Sequence, residues 1–140
     1  MRHQSIVFLS SGDPNGEAEA LARLCSSVAG ARERLQLLYV GEHHVTGFGA
    51  TIAHGHIAND MQVRQEIFPL LKRICARSDI PPGCINVRLG DHTLVIEKFI
   101  SERDIDLLAV TSRFAAEHRG TISDLAPLLN IRNCQLYVTP

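Results

Sequence analysis

The chain has 140 residues, 45% of them hydrophobic and 21% charged, with a formal net charge of −1. That length fits one domain, residues 1–140, around one core, and the composition excludes disordered and fibrous classes. Lys and Arg are scattered without a basic cluster, no run approaches about 18 apolar residues, and Met1-Arg2-His3 leads into the first apolar run without a cleavage-site pattern, so a free-standing cytoplasmic protein with no nucleic-acid or membrane partner is expected.

Ser5-Ile6-Val7-Phe8-Leu9 is rich in β-formers and runs into the turn cluster Ser10-Ser11-Gly12-Asp13-Pro14. Asp13 can cap a helix with Pro14 at its first position, and Leu21, Leu24, Cys25 and Val28 then recur at helical spacing until Gly30 offers a stop. Leu35 to Val40 reads as a second strand. A long loop is expected from Gly41 to about Asn59, holding His43, His44, His54 and His56. Ile67, Leu70, Leu71, Ile74 and Cys75 form a helical stripe in which Pro69 implies either a kink or a place in the first turn.

Pro81-Pro82-Gly83 breaks the chain before Ile85 to Leu89, which alternates apolar and polar residues as a half-exposed strand does. Gly90-Asp91 opens a helix with Ile96, Phe99 and Ile100 facing inward. Leu107 to Val110 is a fully apolar strand. The segment from Val110 to Leu125 reads as a strand-to-helix turn, with Asp124 capping a last helix and Pro127 in its first turn. Gln135 to Thr139 is an alternating final strand.

The order βαβαβαβαβ implies an α/β fold with an open five-stranded parallel sheet and helices on both faces. Strands covered on both sides lose their alternation, so Ile6–Leu9 and Leu107–Val110 belong in the centre and the alternating strands at the edges. The strand order is then 3-2-1-4-5. Its switch point puts any ligand crevice where Ser11-Gly12 meets Thr111-Ser112. Cys25, Cys75, Cys84 and Cys134 lack the spacing of a zinc or dithiol motif and read as reduced, buried, small hydrophobes.

In this order and spacing, Ser10-Ser11-Gly12, Tyr39-Val40, Gly90-Asp91 and Asp106-Leu107-Leu108-Ala109-Val110 make nearly the whole chain resemble the universal stress protein family. Nucleotide-binding members carry Gly-x2-Gly-x9-Gly-Ser/Thr in the turn after the fourth strand. The first glycine maps to Thr111, the second to the bulky Phe114 and the final pair near Ser123-Asp124, while the family's acidic residue after the first strand is Ser11 here. An aromatic ring and an added negative charge would both oppose a phosphate. The resemblance therefore implies the subclass without ATP: a stress-response homodimer with no cofactor and no catalysis. Its dimer edge would be the last strand, Gln135, Leu136, Tyr137, Val138 and Thr139, an open edge that invites another chain.

Two other readings stay open. A degenerate pocket for ATP or AMP would draw on Ser11, Gly12, Val40, Thr111, Ser112 and Ser123. A metal site would gather His43, His44, His54 and His56, although no cysteine or carboxylate neighbours them at a recurrent ligand spacing. An enzymatic reading is weaker. Ser10 to Asn15 only partly matches the Ser-Gly-Gly-x-Asp-Ser loop of ATP pyrophosphatases, and there is no Gly-x-Ser-x-Gly elbow.

Overall fold

The computed structural model describes the backbone of residues 5–41 and 49–140, and the side chains of these apart from residues 49–60. Five strands, β1 (Ile6–Ser10), β2 (Leu35–Gly41), β3 (Ile85–Leu89), β4 (Leu107–Thr111) and β5 (Gln135–Thr139), form one parallel sheet in the order β3-β2-β1-β4-β5. Between them run α1 (Pro14–Ser27), α2 (Ala31–Arg34), α3 (Gly49–Arg77), α4 (His92–Arg103), α5 (Ser112–Glu117) and α6 (Arg119–Ile131).

The central position of β1 and β4 follows from their composition. Successive side chains leave opposite faces of a strand, and here both faces are apolar. Ile6 and Phe8 of β1, with Leu107 and Ala109 of β4, enter a core built with Leu21 and Leu24 of α1 and Leu71 and Ile74 of α3. Val7, Leu9, Leu108 and Val110 enter the opposite core, with Ile96, Phe99 and Ile100 of α4 and Leu125 and Leu129 of α6. The alternating strands β3 and β5 take the two edges, as their half-polar pattern requires.

Helix starts follow the expected caps. The Asp13 carboxylate accepts from the Asn15 amide (3.1 Å) with Pro14 at the first helical position, and Asp91 accepts from the Leu94 amide (3.0 Å). α1 stops slightly before Gly30, whose left-handed backbone (φ +72°) instead begins the short α2.

Two expectations need correction. The long loop from Gly41 to Asn59 gives way at Gly49 to α3, whose backbone carries His54 and His56. Gly49 and Gly55 argue for a loop locally, at about 1 kcal/mol each, but a helix already nucleated extends at one hydrogen bond per residue without a new nucleus. Pro69 accordingly lies deep inside α3 rather than in its first turn.

The segment after β4 is likewise helical almost throughout. Thr111 caps α5 by accepting from the Phe114 amide (3.0 Å), and only His118 (φ −124°, ψ 43°) separates α5 from α6. Asp124 and Pro127 therefore sit within α6, neither at a cap nor in a first turn. Pro69 and Pro127 are both exposed, and so are Gln65 and Ser123, four residues earlier. The carbonyls that lose their helical partner thus belong to residues on the wet side, where water replaces the missing N–H. Cys25, Cys75 and Cys134 are buried as expected, whereas Cys84 is only partly so.

Candidate functional site

At the switch point between β1 and β4 the chain leaves the sheet in opposite directions, opening a crevice of about 600 Å³. Ser11, Asp13, Gly16 and Glu17 line it from the β1–α1 side, Thr111, Ser112, Arg113 and Glu117 from the β4–α5 side, and Thr139 from β5. A smaller hollow of about 270 Å³ lies toward β2, walled by Ser10, Ser11, Tyr39, Val40, His92, Phe114, Glu117 and His118. The structure thus brings Ser11, Thr111 and Ser112 together in the main crevice and puts Val40 beside Ser11 in the hollow. Gly12 shapes the turn between them.

Ser123 is not brought in. It is exposed within α6 and lines neither space, and the same holds for Asp124. The carboxyl groups that line the crevice are instead those of Asp13, Glu17 and Glu117. Phe114 does wall the hollow, but its ring is buried in the sheet–helix core and stacks on His118 (centroids 4.4 Å), which in turn stacks on His92 (4.9 Å). His43 and His44 lie outside the described residues, as do the side chains of His54 and His56. Among the described residues no group of three or more His, Cys, Asp or Glu is placed to hold a metal ion.

Glu17 is the residue that the sequence reading missed. It is 4% exposed, and its carboxyl group accepts from the Ser10 hydroxyl and from the Ser11 amide (2.7 Å). The Gly12 amide donates to Ser10 Oγ (3.0 Å), which completes a closed network at the turn. Backbone amides at such a strand-to-helix turn are the groups that greet an anion, and here a side chain of the protein already holds them. Burial is the main reason that the Glu17 carboxyl group is pushed above its ordinary value, with Asp13 adding to it and the Ser10 and Ser11 hydrogen bonds pulling the other way. A signal was present: Glu17, Leu21, Leu24 and Val28 share one helical stripe, so an acid stands on the apolar face of α1.

The one cation lining the crevice among the described residues, Arg113, is also engaged. Arg113 Nε pairs with Glu117 (2.9 Å) and its Nη1 reaches Asp13 (3.4 Å), so the guanidinium ties α5 to the α1 cap across the opening. Thr139 Oγ1 is fully buried and is the one buried side-chain N or O atom without a hydrogen-bond partner among the described residues.

Gly12 permits the turn. Its backbone is left-handed (φ +80°), and a Cβ there would run into Ile67 Cδ1 of α3. Gly12→Ala is expected to cost about 1–2 kcal/mol, read as a lowered urea midpoint with an unchanged m-value. An unchanged midpoint would show that the turn tolerates a side chain.

No family model matches the sequence, and no curated protein matches it. Solved structures do match. A hypothetical protein whose biochemical function was assigned from its structure superposes with a TM-score of 0.68 at 13% identity, over 99% of this chain and 96% of that one. The universal stress protein UspA from Lactobacillus plantarum gives 0.59 at 16% identity, over 100% and 99% of the two chains. This chain has the universal stress protein fold. A universal stress protein from Archaeoglobus fulgidus, solved in complex with dAMP, gives 0.54 at 17% identity over the whole of both chains.

Proposed function

We propose that this chain is a cytoplasmic stress protein of the universal stress protein type that works as a homodimer through its surface, without bound nucleoside triphosphate and without catalysis. The observation that carries the reading is the buried Glu17 carboxyl group seated on the Ser11 amide and the Ser10 hydroxyl. A phosphate entering the crevice would have to displace that carboxyl group, face Asp13 and Glu117, and compete for an Arg113 already paired to both. Two unit charges about 4 Å apart repel by roughly 4 kcal/mol at an effective dielectric of 20. Among the described residues that line the crevice, no cation besides Arg113 offsets this.

The homodimer rests on β5. Its outer edge pairs with no strand among the described residues, and Gln135 to Thr139 contains no charge and no proline to discourage pairing. Leu136 (39% exposed) and Val138 (45% exposed) lie on one face of the strand, near the end of α6 where Ile131 is 81% exposed. An antiparallel pairing of two β5 strands about a two-fold axis at Tyr137 sets Leu136 opposite Val138 of the second copy, burying on both sides what is apolar and open on one.

One finding favours a second reading, an adenine-nucleotide switch: the crevice is open, lies at the topological switch point, and a protein of the same fold was solved with dAMP. Native mass spectrometry and thermal melts separate the two. The expected result is a two-chain mass without retained nucleotide, no change of Tm with ATP and Mg²⁺, and a shift to single-chain mass in Val138→Lys. A ligand at a hundred times its Kd stabilises by about 2.7 kcal/mol, or several degrees in a domain of this size. A Tm rise of that order with ATP overturns the nucleotide-free reading, and a single-chain mass for the unmodified protein overturns the dimer.

A further inference from the structure

The fold brings together two cysteines that stand nine positions apart in the sequence. Cys75, near the end of α3, and Cys84, at the end of the 3-10 turn Pro82–Cys84, have their sulfurs 3.9 Å apart with no bond between them. The connecting segment is strongly ordered. The Ile80 amide donates to the Cys75 carbonyl (2.8 Å) and the Asp79 amide to the Ala76 carbonyl (3.3 Å) around a left-handed Asp79 (φ +57°), the pattern of a Schellman C-cap. Pro81 and Pro82 then restrict the backbone up to the 3-10 turn. The thiols are therefore held in contact by this loop, and a disulfide of about 2.05 Å requires the sulfurs to close the remaining gap.

The two sulfurs are unequal. Cys84 is partly exposed, while Cys75 is 1% exposed within the α1/α3 core. The hydrogen bond between the two sulfurs is the main cause that holds the Cys84 thiol below its ordinary value, helped by the Leu37 backbone and opposed by burial. The same hydrogen bond, with burial, pushes Cys75 up. Cys25 and Cys134 are also pushed up, mainly by burial, Cys134 to about 11.

We propose that Cys75 and Cys84 form a peroxide-oxidisable dithiol, with Cys84 as the attacking sulfur and Cys75 as the resolving one. In the first step the Cys84 thiolate attacks one oxygen of hydrogen peroxide. The O–O bond breaks, the departing hydroxide takes a proton and leaves as water, and Cys84 becomes a sulfenic acid. In the second step Cys75 loses its proton and attacks the Cys84 sulfur. The S–O bond breaks, the hydroxide again leaves as water, and the disulfide joins the end of α3 to the entry of β3. Two thiols lose two electrons and two protons, and the peroxide is reduced to two waters.

Peptide mapping of the intact, reduced protein after brief exposure to hydrogen peroxide and alkylation of the remaining thiols tests this directly. Trypsin separates all four cysteines, into Leu24–Arg32, Ile74–Arg77, Ser78–Arg88 and Asn133–Pro140. The expected product is a reducible link between Ile74–Arg77 and Ser78–Arg88, with Cys25 and Cys134 alkylated. In Cys75→Ser the Cys84 sulfenic acid is expected to persist and be trapped by dimedone, and in Cys84→Ser neither link nor adduct is expected. A link to Leu24–Arg32, a dimedone adduct on Cys75, or four fully alkylatable thiols after treatment overturns the assignment. The mapping of the unmodified protein decides the matter even where a variant fails to fold.

Discussion

Phe99→Ala is expected to remove about 3–5 kcal/mol of stability, a large share of the roughly 5–15 kcal/mol that folded domains possess. Phe99 is 0% exposed, on the inward face of α4, where it packs in the core shared by β1, β2, β4 and α6. Its ring also carries two guanidinium groups, Arg88 from β3 at 4.9 Å and Arg103 from the end of α4 at 4.8 Å. Truncation leaves a cavity between helix and sheet and deprives both cations of the ring. Urea denaturation should show the midpoint falling with little change in slope. Phe68→Ala is the control: this ring is 38% exposed on α3 with Lys72 over it, and a loss below about 1 kcal/mol is expected there. Equal losses for the two variants would mean that α4 is not clamped to the sheet through Phe99.

The contrast between these two rings shows what was legible in the sequence. Phe99 shares a helical stripe with Ile96 and Ile100, and that periodicity alone assigns it to the core. The strand order was legible for a similar reason, since the continuous apolar runs at Ile6–Leu9 and Leu107–Val110 are central and the alternating runs are at the edges. Caps at Asp13 and Asp91 were local signals and acted as such. The helical start of α3 at Gly49 was not legible, because glycine opposes a helix locally while propagation from a formed helix overrides it. Pro127 misled in the opposite way, inviting a helix start where an exposed position inside α6 tolerates it.

The candidate site was legible in place but not in content. Ser11, Thr111 and Ser112 follow from topology, since the ends of β1 and β4 must meet at the switch point. Glu17 and the Cys75–Cys84 pair depend on how elements pack. Ser10 and Glu17 meet across a strand-to-helix turn, and the two thiols across a helix-to-strand loop, at spacings of seven and nine that belong to no motif. Asp124 shows the converse. Its sequence position suggested a place in the crevice, and the helical course of α6 carries it to the surface.

Glu17 gives the second large expected effect, through two substitutions that separate its roles. Glu17→Ala leaves the buried Ser10 hydroxyl and the part-buried Ser11 amide without their acceptor; a buried donor left unsatisfied costs about 1–3 kcal/mol and water can reach the amide, so a loss of roughly 1–3 kcal/mol is expected. Glu17→Gln keeps the shape and one acceptor oxygen, sets an NH2 group against the second donor at a cost that does not vary with pH, and removes the titration. Because burial raises the folded-state pKa above the ordinary 4.5, the folded protein holds this proton more tightly than the unfolded chain does. Below pH 4.5 both states are protonated and the group is neutral toward stability. As pH rises from there through the raised pKa, the unfolded chain ionises first, so stability falls across that window and then levels off. The glutamine variant lacks this fall, and its stability relative to the unmodified protein should rise over the same window and plateau above it. Urea midpoints measured from pH 4 to pH 8 for the three proteins give the comparison. Parallel profiles for the unmodified protein and Glu17→Gln would mean that the carboxyl group titrates as it does in water, and an unshifted midpoint in Glu17→Ala would mean that the turn does not depend on it. Either result would remove the ground for treating Glu17 as the built-in occupant of the anion position.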